Sequence, residues 1–215
     1  MDASEKHKEY DGRERVRRRI AWKLATLAVV ATSAGMLAAF LFLRVPDQGR
    51  APLAIPYKRE AGKLIRHSEP QNVEDIVFTD ADGTVRRLSE WRGRVVLLNL
   101  WATWCAPCKT EMPSLDRLQA KLGGDGFTVL ALSTDRSGPK EPAAFLARQG
   151  IGHLKLYNDD TGGAAVRMRA AGLPMTAVLN ENGQEVARFL GPAEWDSPEM
   201  ISEIENLRAR ERPAQ

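Results

Sequence analysis

Residues 99–113 read NLWATWCAPCKTEMP and contain both cysteines of the 215-residue chain, Cys105 and Cys108. The apolar run RVVLLNLWA at 94–102 leads into this stretch and is typical of a strand that is buried on both faces. After the cysteines, apolar side chains recur at helical spacing until Gly123, a helix stop signal; they are Met112, Leu115, Leu118 and Leu122. The pair therefore lies where a buried strand is expected to end and a helix to begin.

Segments on either side of this unit alternate between strand and helix patterns. Strands are predicted at 127–134, 153–158, 175–180 and 185–190, and helices at 139–150, 161–172 and 198–210. Upstream, VEDIVFT and TVRRL flank the turn signal DADG and predict a β-hairpin over 73–88. This order predicts an α/β protein with a thioredoxin fold: a mixed central sheet with helices on both faces, an N-terminal β-hairpin and one inserted helix–strand unit.

An apolar segment near the N-terminus predicts a membrane anchor. Residues 24–43 carry no charge over 20 positions, about the length that crosses a bilayer as a helix. They exceed the signal-peptide core of about 7–15 residues and lack a small-residue cleavage site, which favours a retained anchor over a cleaved signal peptide. Residues 1–23 hold eight Lys or Arg against five acids, so this tail is expected in the cytoplasm and the rest in the periplasm.

The segment at 44–71 contains four prolines and no sustained periodicity, so it predicts a periplasmic linker, with the folded domain at 72–211. The basic run RVRRRI at 15–20 lacks interleaved aromatic residues and adjoins the apolar segment. These features argue against nucleic-acid binding and favour the inner membrane as the partner of the basic tail.

Three chemistries use a C-x-x-C pair: a metal site, a structural staple and a redox couple. Zinc needs about four N or S ligands, but the histidines after the anchor, His67 and His153, are not spaced as a ligand pair. A disulfide that closes so short a loop removes little chain entropy. At a helix start, free backbone N–H groups favour a reactive thiolate at Cys105. The pattern therefore favours a redox pair, with Cys108 placed one turn further as the resolving thiol.

Several motifs together resemble one family. WCAPC after a buried strand, with GLP ahead of MTAVL, resembles the thioredoxin superfamily, and NLWATWCAPCKTEMP is similar to its membrane-anchored TlpA/ResA/CcmG branch. The stretch FLGPAEW at 189–195 and the predicted anchor resemble the TlpA-type members, which are thiol:disulfide interchange proteins. The resemblance covers about residues 73–208 and implies a protein disulfide reductase that needs no organic cofactor and no metal.

The resemblance also implies roles for individual residues. Cys105 matches the attacking nucleophile and Cys108 the resolver, which together form the redox-active disulfide. The implied substrate-binding positions are Trp104, Ala106, Pro107, Leu173 and Pro174. Among these, Trp104 matches a tryptophan that packs beside the site, with plain core packing as the alternative. Pro174 matches a cis-proline, and Leu173 before it would offer backbone groups to the substrate chain.

The expected proton acceptor is Glu111, which matches an acid that this branch keeps near its cysteines. A solvated helix carboxylate is the alternative interpretation of this residue. Asn99 stands where thioredoxin has a buried Asp, and an amide cannot exchange a proton at working pH. Proton transfer to and from the cysteines is therefore expected to use Glu111 or water.

The implied partners are disulfide-containing periplasmic proteins and a DsbD/CcdA-like membrane electron donor, with the chain itself a monomer. Likeness to TlpA implies copper-handling proteins that assemble cytochrome oxidase, and FLGPAEW favours this pathway. Likeness to ResA and CcmG implies apocytochrome c or its chaperones instead. From another class, a Cu(I)-binding chaperone stays an alternative, because soft thiolates select that ion. Pro107 inside the pair and the lack of a nearby Met/His cluster argue against it.

Overall fold

A computed structural model of the chain describes residues 62–211. The strands, in chain order, are β1 (Leu64–Gln71), β2 (Val77–Asp80), β3 (Val85–Arg87), β4 (Val95–Trp101), β5 (Phe127–Ser133), β6 (Tyr157–Asn158), β7 (Met175–Leu179) and β8 (Glu185–Leu190). The helices are α1 (Ala106–Leu122), α2 (Lys140–Arg148), α3 (Gly163–Arg167) and α4 (Pro198–Glu211), with a 3-10 turn at Leu88–Trp91. All eight strands form one sheet in the order β1-β8-β7-β4-β5-β6-β2-β3.

The centre of the sheet is β4, which pairs parallel with β5 and antiparallel with β7. Every residue of β4 is buried, as its continuous apolar run predicts. Successive side chains of a strand point to opposite faces, and Leu97 and Leu98 accordingly belong to two separate apolar clusters. The prediction of a thioredoxin-like α/β fold with a mixed sheet covered on both faces is confirmed.

The predicted linker over 44–71 was wrong for its last part, because β1 pairs antiparallel with β8 from Leu64 onward. This strand lies at the sheet edge and its second half is exposed, so its side chains show no regular alternation that a sequence pattern could reveal. The folded domain therefore begins before residue 72. The antiparallel β2–β3 pair lies at the opposite edge and does not open the domain, since β1 precedes it.

The inserted helix–strand unit is present as α2 and β6, but the strand is much shorter than the predicted 153–158. The carboxylate of Asp116 on α1 accepts the backbone N–H groups of His153 at 2.7 Å and Leu154 at 2.8 Å. Those N–H groups are therefore not available to a strand ladder, and the segment forms a loop. The prediction that His153 is a strand residue was wrong for this reason.

Two predicted regions, the cytoplasmic tail at 1–23 and the anchor at 24–43, lie outside the residues that the structure describes. Between residues 62 and 211 no helix combines the length and apolar character needed to span a bilayer. The final helix, α4, begins as predicted, with the Ser197 hydroxyl accepting the N–H of Met200 at 3.2 Å as an N-cap.

Candidate active site

Cys105 and Cys108 form a disulfide at the start of α1. Cys105 is the N-cap residue of this helix, and its Sγ accepts the backbone N–H of Cys108 at 3.3 Å. N–H groups in the first turn of a helix have no partner within the helix, so this one is free to stabilise negative charge on the Cys105 sulfur after reduction. The predicted position of the pair, between a buried strand and a helix, is confirmed.

The chain between β4 and α1 is tied to the sheet by Asp135, a buried residue that follows β5. Its carboxylate accepts the backbone N–H of Thr103 at 2.9 Å and also the Thr103 hydroxyl. The N–H of Thr134 donates to the carbonyl of Trp101 at 2.9 Å. These hydrogen bonds join the segment before α1 to the end of β5 and so help to fix where Cys105 lies.

The two cysteines differ in access to solvent. Cys105 is 6% exposed and Cys108 is 0% exposed, whereas the adjacent Trp104 is 70% exposed. Ala106 and Pro107 are exposed as well. The core-packing interpretation of Trp104 was wrong, because its indole lies mostly in solvent. A large exposed aromatic side chain beside the less buried of the two cysteines is suited to contact with another protein.

The Leu173–Pro174 peptide bond is cis, as the family resemblance implied. Leu173 is half-buried and packs against the apolar cluster that contains both cysteines. Met175, which follows directly, is in register with Leu100 near the end of β4. The cis-proline loop therefore lies at the same end of the sheet as the disulfide.

Glu111 lies one turn after Cys108 and is only 2% exposed. Its Oε1 accepts a hydrogen bond from Asn99 Nδ2 at 2.8 Å. Its Oε2 accepts from Trp195 Nε1 at 2.9 Å and from the backbone N–H of Ala193 at 3.1 Å. The interpretation of Glu111 as a solvated carboxylate is therefore wrong.

Burial raises the pKa of Glu111 from 4.5 to about 7, because removal from water disfavours the charged carboxylate. Hydrogen bonds from Trp195, Asn99 and Ala193 favour the charged form and limit this increase in pKa. A carboxyl group with a pKa near 7 populates both protonation states at neutral pH, whereas an exposed glutamate is almost entirely ionised.

Several residues of this site were missed by the sequence analysis. Trp195 and Ala193 reach Glu111 from 84 and 82 positions further along the chain. Thr176 accepts the other Asn99 Nδ2 hydrogen bond at 2.9 Å, and Ser114 accepts the Trp195 backbone N–H at 3.1 Å. The stretch FLGPAEW contains Ala193 and Trp195, but in the sequence it indicates only a family likeness. No local pattern in it predicts that these residues contact α1.

Of the two histidines considered as zinc ligands, His67 has a side-chain partner and His153 has a backbone partner. Nε2 of His67 lies 2.8 Å from Oε1 of Glu185, and the backbone of His153 is bound to Asp116. Across residues 62–211 no three side chains of the His, Cys, Asp and Glu types are grouped so as to hold a metal ion.

Known proteins share this sequence pattern. The sequence profile of the family described as Redoxin matches residues 68–207. The thiol:disulfide interchange protein HelX of Rhodobacter capsulatus is 30% identical over 159 residues, which cover 74% of this chain and 81% of HelX. The thiol-disulfide oxidoreductase ResA of Geobacillus thermodenitrificans is 41% identical over 111 residues, or 51% of this chain and 62% of ResA.

Solved structures share the fold. A Chlorobium tepidum protein described as a thiol:disulfide interchange protein DsbE superposes with a TM-score of 0.58 at 26% identity, covering 65% of this chain and 97% of that one. A secreted thiol-disulfide isomerase from Corynebacterium glutamicum superposes with a TM-score of 0.56 at 25% identity, covering 70% and 94%. Both proteins are described by thiol–disulfide chemistry, in agreement with the disulfide at the start of α1 in this chain.

Proposed function

The chain belongs to the Redoxin family and to the TlpA/ResA/CcmG branch of thioredoxin-fold thiol:disulfide oxidoreductases. On this basis we propose that it is a membrane-anchored reductase of periplasmic protein disulfides. The observation that carries the proposal is the Cys105–Cys108 disulfide at the N-terminus of α1, in which Cys105 is 6% exposed and Cys108 is fully buried. Such a pair can exchange electrons with another protein only through Cys105. The anchor and the periplasmic location are inferred from residues 1–43 alone.

The reaction starts from the reduced dithiol. The Cys105 thiolate attacks one sulfur of the substrate disulfide, and the other substrate sulfur leaves as a thiolate that takes up a proton. Cys108 then loses its proton and attacks the Cys105 sulfur, which releases the second substrate thiolate. The substrate gains two electrons and two protons, and the Cys105–Cys108 disulfide is formed. A membrane dithiol donor of the DsbD/CcdA type would restore the reduced form.

Glu111 is the group placed to take the proton from Cys108. The two residues are three positions apart on α1, and side chains at that spacing are neighbours on a helix surface. Cys108 is fully buried, so water has poor access to its thiol. The pKa of Glu111 near 7 lets it accept a proton at neutral pH and release it afterwards.

Asn99 is suited to both protonation states of Glu111. In the structure its Nδ2 donates to the Glu111 carboxylate, while its buried Oδ1 has no hydrogen-bond partner among the described residues. Protonated Glu111 needs an acceptor instead, and Oε2 already receives N–H groups from Trp195 and Ala193. Rotation of the Asn99 amide would bring its Oδ1 towards Oε1 as that acceptor. An aspartate at position 99 would add a second negative charge beside Glu111.

The residues between the cysteines favour a low reduction potential, and hence a role as a reductase rather than an oxidant. Ala106 and Pro107 add no charge or side-chain donor that would strongly stabilise the reduced form. We therefore expect a reduction potential closer to about −270 mV, as in thioredoxin, than to about −120 mV, as in DsbA. Equilibration of the pair with dithiothreitol measures this potential, and a value near that of DsbA would contradict the proposed role as a reductase.

The substrate pathway is proposed from resemblance. FLGPAEW favours copper-handling proteins of cytochrome oxidase assembly, whereas likeness to ResA favours apocytochrome c or its chaperones. Trapping separates the two: in Cys108→Ser protein, Cys105 should hold its substrate as a mixed disulfide that mass spectrometry identifies. Cys105→Ser protein is the matched control and should trap nothing. Equal capture by both variants would contradict the assignment of Cys105 as the attacking cysteine.

A further inference from the structure

A surface hollow of about 410 Å³ opens beside the redox pair, between α1 and α2. Its lining residues are Ala106, Lys109, Thr110, Phe145, Arg148 and Gln149. Ala106 directly follows the accessible cysteine, so the hollow begins next to the disulfide. Ala106 and Phe145 give it an apolar part, and the remaining lining residues are polar or cationic.

The charge in this hollow has one sign. Lys109 and Arg148 are both exposed, and no acidic side chain lines the hollow. Within residues 62–211 neither cation lies in ion-pair distance of a carboxylate. Arg117, further along α1, instead pairs with Asp196 at 2.7 Å. The two cations that line the hollow are thus left available to a partner.

We propose that this hollow receives an acidic side chain of the substrate protein, close to the cysteine that Cys105 attacks. This proposal rests on the function proposed above and adds that the cations of the hollow recognise a negative charge on the substrate. Lys109 lies four residues after Cys105, about 6 Å further along the helix axis. An extended substrate chain advances about 3.3 Å per residue, which places the acidic residue about two positions from the attacked cysteine.

Complementary charge in an exposed hollow mainly accelerates the association of the substrate with the protein, and salt weakens this effect. The proposal therefore predicts a preference in rate among substrates that are chemically identical at sulfur. The probes are three peptides with one cysteine in mixed disulfide with a fluorescent thiol, differing only in Asp, Ser or Lys two positions away. Reduced, full-length Cys108→Ser protein attacks the peptide sulfur through Cys105, and release of the fluorescent thiol gives the rate constant.

We expect the Asp peptide to react about tenfold faster than the Lys peptide at low ionic strength, with a smaller ratio in salt. Arg148→Glu in the same background should bring the ratio to one or below, and Arg148→Gln should give an intermediate value. Because both peptides are compared on each variant, a general loss of active protein cancels from the ratio. Arg148 lies on α2, so the substitution leaves the residues of the C-x-x-C helix unchanged.

The matched control is Lys155→Glu, which makes the same charge change at a second hollow. That hollow contains Gly124 and Asp125, beyond the far end of α1, and the ratio should keep its original value. Equal rates for the Asp and Lys peptides, or a ratio that Arg148→Glu leaves unchanged, would overturn the docking proposal alone. If the Ser peptide also fails to react, the proposed disulfide-exchange function falls with it.

Discussion

Two buried carboxylates, Glu111 and Asp116, lie on the same helix and have different surroundings. Glu111 is 2% exposed and Asp116 is 8% exposed. Asp116 accepts backbone N–H groups from the loop of residues 152–154. Glu111 accepts two side-chain donors, from Asn99 and Trp195, and one backbone N–H.

The comparison separates a carboxylate that we propose for proton transfer, Glu111, from a buried carboxylate that holds a loop in place, Asp116. The partners of Asp116 are main-chain donors that hold a loop in place, so the residue acts as a structural anchor. Glu111 lies one turn from a buried thiol, and its pKa is raised to about 7 by desolvation. Stability should therefore depend mainly on Asp116, and activity and pH dependence on Glu111.

The largest effect is expected from Asp116→Ala. It leaves up to three backbone N–H groups of the 152–154 loop without their acceptor, which should lower the free energy of unfolding by about 4 kcal/mol. Denaturant unfolding of the oxidised protein measures the change. Asp125→Ala, at an exposed site, is the control and should change stability little. If Asp116→Ala has the same free energy of unfolding as this control, the structural role of Asp116 is contradicted.

The next effect is the pH dependence of stability. The pKa of Glu111 rises from 4.5 to about 7 on folding, so the folded state binds more protons between these values. Stability from this group is therefore complete below pH about 4.5 and is lost as pH rises through about 7, by about 3 kcal/mol in total. Glu111→Gln should lack this decline. An unchanged slope of unfolding free energy against pH in the variant would contradict the burial argument.

A third effect concerns catalysis. Glu111→Gln should slow the resolving step, in which Cys108 attacks the mixed disulfide, by about 100-fold, because general-base assistance is lost. The inflection near pH 7, below which the wild-type rate falls, should vanish as well. Single-turnover release of substrate from a preformed mixed disulfide measures this step. An Asp116→Ala protein, compared per folded molecule, should keep the wild-type inflection.

The smallest effect is expected at Trp195. Trp195→Phe removes one hydrogen bond from the Glu111 carboxylate, so the pKa of Glu111 should rise by about one unit. Resolution at pH 7 should then slow by about fivefold, with recovery at higher pH. Trp101→Phe is the matched control, because the Trp101 indole N–H is buried without a partner among the described residues. Equal shifts of the pH profile in both variants would refute a specific role for Trp195.

Local sequence patterns predicted the centre of this fold well. The apolar run of β4, the cysteine pair and the apolar spacing of α1 are contiguous, and each follows from strong local preferences. The edge strand β1 was missed because it is formed by pairing with β8, at the other end of the domain sequence. The predicted strand at 153–158 was too long, because the Asp116 side chain on α1 accepts the backbone N–H groups that precede β6.

The sequence by itself determined that a buried strand delivers two cysteines to the start of a helix, and hence that the chain carries a redox pair. Only the tertiary structure decided the state of Glu111, whose partners come from β4 and from the segment before α4. The physical reason is that the pKa of a carboxyl group depends on how much water is removed and which donors replace it. Residues far apart in the chain supply both.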